Sequence, residues 1–297
     1  MWNLCVTSKI IQQRQDGTAI PFGETLDFLK RAGFEEIDMS LEPPLLLADH
    51  WQTELENRLR LCEQAGIRIR YAHLPYHYPQ AEDTAGWEDF SLATRRAIDF
   101  AVRAGADCAA IHPHTFPTRD YDPEKERARA LQFLSPYQEY AVQRGFPLAL
   151  ENMRSAGHHA DPALRRFGTA VEDVISLADE LSMGICWDTG HGHISGNPQY
   201  ESLVKIGHRL RMVHLNDNFA EDDVHLALFL GKIDWESVAC GLRAVNYRGS
   251  LNTEVHCNTL PDALRTSYAA YMAEAVKKMK TMLTKDSSIQ GGNLYVR

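Results

Sequence analysis

Six apolar runs in this chain each stop on a side chain able to bind a metal ion or move a proton. RIRYAH ends on His73, CAAIH on His112, LALE on Glu151, GICWD on Asp188, RLRMVH on His214 and SLNTE on Glu254. An apolar segment that halts on an acid or an imidazole is the pattern of a buried parallel strand delivering one polar residue to its C-terminal end, where ligands sit in parallel α/β folds. The stretch GICWDTGHGHISG shows it most clearly, with Asp188 followed three positions on by His191 and glycines around both.

Glu151, Asp188, His214 and Glu254 come from the last four of these runs, and they point into one central volume if the strands close into a ring. Three carboxylates there cannot all stay ionised unaided, because two unit charges about 4 Å apart repel by roughly 4 kcal/mol at an effective dielectric of about 20. A divalent cation removes that conflict. Three carboxylates and one imidazole make an oxygen-rich set suited to Mn²⁺, Mg²⁺ or Co²⁺, with Zn²⁺ also admissible, so one such ion is the expected cofactor. With coordination positions left open, it would take the carbonyl and adjacent hydroxyl of a sugar, acidify the carbon-bound proton and stabilise the enediolate formed on its loss. Glu151 and Glu254 lie on strands well separated around the ring, so they are the expected catalytic pair, one taking the proton and the other returning it from the opposite face. That chemistry is isomerisation or epimerisation of a sugar, sugar phosphate or polyol.

The elements that must position these groups are legible in the hydrophobic periodicity. Strands are expected at residues 3–8, 34–39, 68–73, 108–112, 147–151, 184–188, 210–214 and 250–255. Helices are expected at 21–31, 51–65, 87–104, 122–144, from a cap at Thr169 to 181, at 199–207, 234–244 and 261–283. Phe90, Ala93, Ala97, Phe100 and Ala101 carry the helical spacing, and Gly33, Gly66, Gly105 and Gly145 stand where helices stop. Strands alternating with helices imply parallel pairing with right-handed crossovers, and eight such units in a chain of this length favour a closed (β/α)8 barrel over an open sheet. Residues 1–285 are expected to form one barrel domain and 286–297 a C-terminal tail without periodicity. Two long loops, 154–168 and 216–232, suit a lid or binding role, the first offering Arg154, His158 and His159 to a phosphate. No GxGxxG or GxxxxGK[ST] follows any strand, which argues against nucleotide binding.

Composition narrows the class of partner. A formal net charge of −9 opposes broad binding to nucleic acid or anionic membrane, which rests on Lys and Arg neutralising phosphates. The six cysteines include no CxxC pair and read as buried thiols in a reducing compartment. No window approaches about 18 apolar residues and no basic-then-apolar leader opens the chain, so a cytoplasmic protein with a small-molecule partner is expected, and a homo-oligomer is compatible with it.

The ordered set HLPY, IHP, LEN, WDTGH, HLND, DVHLALFLGKIDW and TEVH resembles the xylose isomerase-like TIM barrel superfamily of sugar and sugar phosphate isomerases and epimerases, which is related to endonuclease IV. The resemblance implies that Glu151, Asp188, His214 and Glu254 bind one divalent metal ion and that the two glutamates are the acid–base pair. It further implies that His73, His112 and His191 contact the substrate. Ketohexose 3-epimerases carry an arginine in the loop after the metal-binding histidine; residues 215–231 here contain none, and His225 is expected in that space as a substrate contact. The endonuclease IV branch implies a different outcome, three zinc ions on His73, His112, Glu151, Asp188, His191, His214, Asp223, His225 and Glu254 and hydrolysis at abasic DNA. The acidic balance and the lack of basic DNA-binding loops weigh towards the isomerase or epimerase. His114, His193 and His256 are expected to be bystanders.

Overall fold

Each of the eight apolar runs forms a strand, and every crossover between consecutive strands carries at least one helix. The computed structural model describes residues 2–156, 161 and 163–284; His158, His159 and the expected tail 286–297 lie outside the described residues. In chain order the elements are β1 (Leu4–Thr7), α1 (Phe22–Ala32), β2 (Glu36–Ser40), α2 (Pro43–Leu46), α3 (Trp51–Ala65), β3 (Arg68–His73), α4 (Thr84–Ala104), β4 (Cys108–Ile111), α5 (Pro123–Val142), β5 (Leu148–Glu151), α6 (Val171–Leu181), β6 (Gly184–Asp188), α7 (Thr189–Ile194), α8 (Gln199–Ile206), β7 (Leu210–His214), α9 (Trp235–Ala244), β8 (Leu251–Thr253) and α10 (Asp262–Thr284).

All pairings are parallel and neighbours follow chain order, β1 pairing β2 on one side and β8 on the other. The ring closes between β7 and β8 through a parallel bridge of Leu215 with Thr253, where Leu215 N–H donates to Asn252 O (2.8 Å) and Glu254 N–H donates to Leu215 O (3.2 Å). This is the expected (β/α)8 barrel. Because side chains alternate along a strand, the residues two before each polar strand end also point inward. Cys5, Tyr71, Cys108, Ala110, Ala149, Cys186 and Met212 pack there as a separate core and form a floor beneath the site. The opposite parity, such as Leu150, Ile185, Trp187 and Val213, packs outward against the helices in the main core. All six cysteines are free thiols, five of them buried. Among the described residues no helix is long and apolar enough to cross a membrane.

Several local expectations need correction. Thr169 does not cap α6; Ala170 holds that position without a side-chain bond, and the Thr169 hydroxyl donates to Arg166 O (3.0 Å). Helix α4 starts at Thr84, ahead of Trp87, because Asp83 caps it by accepting from Gly86 N–H. The short helices α2 and α7 fall in stretches that lack room for a hydrophobic period. Strand β8 ends at Thr253, so Glu254 stands just beyond the strand.

Candidate functional site

The top of the barrel gathers the strand-end residues. One donor atom from each of Glu151, Asp188, His214 and Glu254 lies within 4.8 Å of the others, and His73 joins Glu151 and His214 in an overlapping group. Glu151 is at the centre: its Oε2 is 3.2 Å from His214 Nδ1 and 3.4 Å from both His73 Nε2 and His112 Nε2. Glu254 Oε2 approaches the same His214 Nδ1 at 3.2 Å. Yet both oxygens of Glu151, His214 Nδ1 and His112 Nε2 are buried without a hydrogen-bond partner among the described residues. Burial alone would raise the Glu151 pKa; the His214 and His112 imidazoles outweigh it and hold the carboxyl well below its usual range. Glu254 is likewise held low against burial by His214 and His225.

Three neighbours fix the orientation of this set. His214 Nε2 donates to Asp38 Oδ2 (3.1 Å), which turns Nδ1 to face the two glutamates, and Asn252 Nδ2 donates to the same Asp38 oxygen (3.0 Å). Asp188 accepts from His191 N–H at Oδ1 (2.6 Å) and from Asn216 Nδ2 at Oδ2 (2.7 Å), so it caps α7 while facing the cluster. Asn152 clamps the same strand end, accepting from Asp188 N–H (2.7 Å) and donating to Asp188 O (3.0 Å). Burial pushes the Asp188 carboxyl up to about 6 despite the nearby His191. Gly190 is required by space, since a Cβ there would sit 1.9 Å from Asn216 Oδ1.

A second group stands one layer further out. His191, Asp223 and His225 present donor atoms within 4.8 Å of one another. His191 Nδ1 faces Asn152 O (2.8 Å) and its Nε2 faces Asp223 Oδ2 (3.3 Å); His225 Nε2 is 3.2 Å from Asp223 Oδ1 and its Nδ1 lies 2.6 Å from Glu254 O. Burial opposes charging either ring, but Asp188 and Asp223 push His191 up to about 9. Asp223 and Glu254 push His225 up to about 10. The two imidazoles in turn hold Asp223 well below the carboxylate range. His225 adopts a left-handed backbone (φ 44), a costly conformation for a residue with a Cβ that the surrounding contacts impose.

All eight sequence-derived site residues, His73, His112, Glu151, Asp188, His191, His214, His225 and Glu254, therefore meet at one end of the barrel. Of the expected bystanders, His114 packs among Tyr78, Phe116 and Phe133 with burial lowering its pKa to about 4, and His193 faces Asn218 Oδ1 (2.7 Å). His256 Nδ1 lies 3.4 Å from Lys9 O. Periodicity did not reveal Asp38, Asn152, Asn216, Lys9 or Tyr76. Asp38 left a trace, an acid inside the strand EIDMS at an inward position. Lys9 pairs with Glu42, and its ammonium donates to Tyr76 Oη (2.9 Å), whose ring lies 5.0 Å from His73 and 5.2 Å from His112. Lys9, Glu42 and Tyr76, with His77 and His256, line a cavity of about 710 Å³, within the range used for small-molecule ligands.

Comparisons with known proteins agree with this architecture. An uncharacterized protein, y4fM, of Sinorhizobium fredii is 24% identical over 256 residues, covering 77% of this chain and 79% of the relative. The L-ribulose 3-epimerase of a Methylomonas species is 22% identical, covering 78% of this chain and 77% of the enzyme. A crystal structure of a D-tagatose 3-epimerase-like protein superposes with a TM-score of 0.71 at 20% identity, covering 95% of this chain and 98% of that one, a likeness of fold. The profile of the xylose isomerase-like TIM barrel matches residues 26–282, and the chain belongs to that family.

Proposed function

We propose that this protein is a divalent-metal-dependent isomerase or epimerase of a sugar, sugar phosphate or polyol, with Glu151, Asp188, His214 and Glu254 holding the ion and Glu151 and Glu254 moving the proton. One observation carries the reading: donor atoms from these four residues converge within 4.8 Å, with both Glu151 oxygens and His214 Nδ1 buried and without a hydrogen bond among the described residues. Burying carboxylate oxygens without a hydrogen bond is costly, and a cation is the partner that oxygen-rich set suits. When bound, the ion would supply Lewis-acid stabilisation to charge developing on substrate oxygens. The rest falls to the chain. Asp38 holds the His214 tautomer, and Asn152 and Asn216 hold Asp188. The Glu151 side chain is 1% exposed and that of Glu254 14%, so one carboxylate sits deep and the other borders open space, as groups acting on opposite faces of one carbon would. The His73 and His112 rings are placed to donate to a substrate hydroxyl or to Glu151. Relatives named as 3-epimerases of L-ribulose and of the D-tagatose type support the substrate class.

The test is washout of a substrate proton into deuterated solvent across a panel of ketoses and ketose phosphates. E151Q and E254Q should each abolish exchange while circular dichroism stays native; undiminished exchange in both removes the assigned pair.

A second reading, an endonuclease IV-like zinc phosphodiesterase, is favoured by a specific observation: the His191, Asp223 and His225 group, which a one-ion isomerase does not need. It expects about three zinc ions per chain and nicking of abasic DNA. One ion per chain and a blank in that assay exclude it.

A further inference from the structure

On the arc of the barrel top that carries the loop after β5, the Arg166 guanidinium has no carboxylate partner among the described residues. Arg166 is a half-buried guanidinium whose one hydrogen bond among the described residues runs from Nε to Thr115 Oγ1 (3.3 Å). No carboxylate lies within 4.0 Å of it among the described residues, and residues 157–160 and 162 contribute no acid to the sequence of this loop. Thr115 is itself fully buried, and its hydroxyl donates to Phe167 O (2.8 Å), so the acceptor that orients Arg166 is fixed. The same loop carries a second guanidinium, Arg154, whose Nε is 3.2 Å from Asp223 Oδ2. That carboxylate is shared with His191 and His225. Thr115 follows β4, and Arg154 and Arg166 follow β5, so both guanidiniums stand at the end of the barrel that carries the strand-end residues; burial pulls the Arg166 pKa down to about 10. Tyr78 Oη, in the same wall, is buried with no hydrogen-bond partner among the described residues. On the opposite arc the cation is already satisfied, Lys9 by Glu42 and Tyr76.

A partly desolvated cation without a counter-charge is a ready site for an anion, and a guanidinium is the side chain whose planar donor pair fits a carboxylate or a phosphate. The geometry points to an anionic substrate: a sugar derivative with a carboxylate or phosphate group that Arg166, aided by Arg154, holds while the carbon to be deprotonated sits over Glu151 and Glu254. This rests on the isomerase or epimerase reading for the reacting end of the substrate; the anion site itself does not.

Inorganic phosphate and D-gluconate serve as anionic probes and D-fructose as the neutral one, with binding measured by calorimetry on the full-length wild type, R166K and R166M. At least one anion should bind the wild type. R166M should weaken that binding by about 10- to 100-fold, the span of a charge-assisted pair, and leave fructose affinity unchanged. R166K, which keeps the charge and loses the fork, should fall between. Binding of phosphate alone marks a phosphorylated substrate, and of gluconate alone a sugar acid. Equal anion affinity in wild type and R166M, or no anion binding to the wild type, overturns the proposal. If R166M does not fold, R166K and T115V, which removes the acceptor of Nε, carry the test, and unchanged anion affinity in both overturns it. A protein that binds anions through Arg166 but exchanges no substrate proton refutes the enolising chemistry and leaves the anion site standing.

Discussion

Replacing Asp38 by alanine should weaken the grip of the barrel on a divalent cation although Asp38 is not itself one of the converging ligands. Its Oδ2 accepts from His214 Nε2 at 3.1 Å and from Asn252 Nδ2 at 3.0 Å, with the Asp38 side chain 2% and that of His214 0% exposed. The bond keeps a proton on His214 Nε2 and turns Nδ1, 3.2 Å from both Glu151 and Glu254, towards the site, where loss of the Nδ1 proton would free its lone pair for an ion. Partners of this kind typically set a metal affinity by about 10- to 100-fold, or roughly 1.4 to 2.7 kcal/mol. D38A also strands two buried donors, at about 1–3 kcal/mol each. D38N keeps one acceptor oxygen that both donors can reach and should lose less of either quantity. Affinity for Mn²⁺ is read by competition with a chromophoric chelator, stoichiometry by elemental analysis, and stability by melting with and without EDTA. If D38A stays folded and binds Mn²⁺ as tightly as the wild type, either His214 is not a ligand or its tautomer is set by something other than Asp38.

The metal-free protein should lose stability as alkali is added. His191 and His225 are raised to about 9 and about 10, above the unfolded value near 6.5, so their contribution is complete below about pH 6.5 and vanishes as pH climbs through 9 and 10. Melting in EDTA from pH 7 to pH 10 should show a falling Tm, and D223N should flatten the slope; a rising Tm contradicts the pairing. G190A places a Cβ 1.9 Å from Asn216 Oδ1 and should drive Asn216 off Asp188. Overpacking of this kind costs about 1–3 kcal/mol, visible as a Tm lower by roughly 2–4 °C per kcal/mol. In G231A the new methyl meets Asp217 Oδ1 at 2.3 Å and Asn218 O at 2.4 Å, so the loop from Asp217 to Trp235 should open, and unchanged proteolysis of that loop would show that it accommodates the methyl.

What could be read in advance sorts by physical range. Strands β3, β6 and β7 and helix α3 were legible to the residue, because a burial period and a terminal Gly or polar residue act locally. The end of β8 was not, since Glu254 leaves the strand in order to bond Leu215 across the closing seam. The cap of α6 was misplaced on Thr169, whose hydroxyl is diverted to Arg166 O.

The eightfold alternation and the polar strand ends were determined by the sequence alone, because both are statements about neighbours along the chain: which residue follows the last buried position and which parity faces in. Tertiary structure alone decided that Asp38, 176 positions from His214, accepts its Nε2 proton, that the Asp188 oxygens both accept hydrogen bonds while those of Glu151 accept none among the described residues, and that Arg166 bonds Thr115 from the neighbouring loop while Arg154 bonds Asp223. These depend on how a closed ring brings distant loops into register and on which rotamer each side chain adopts there, and neither quantity leaves a period in the sequence.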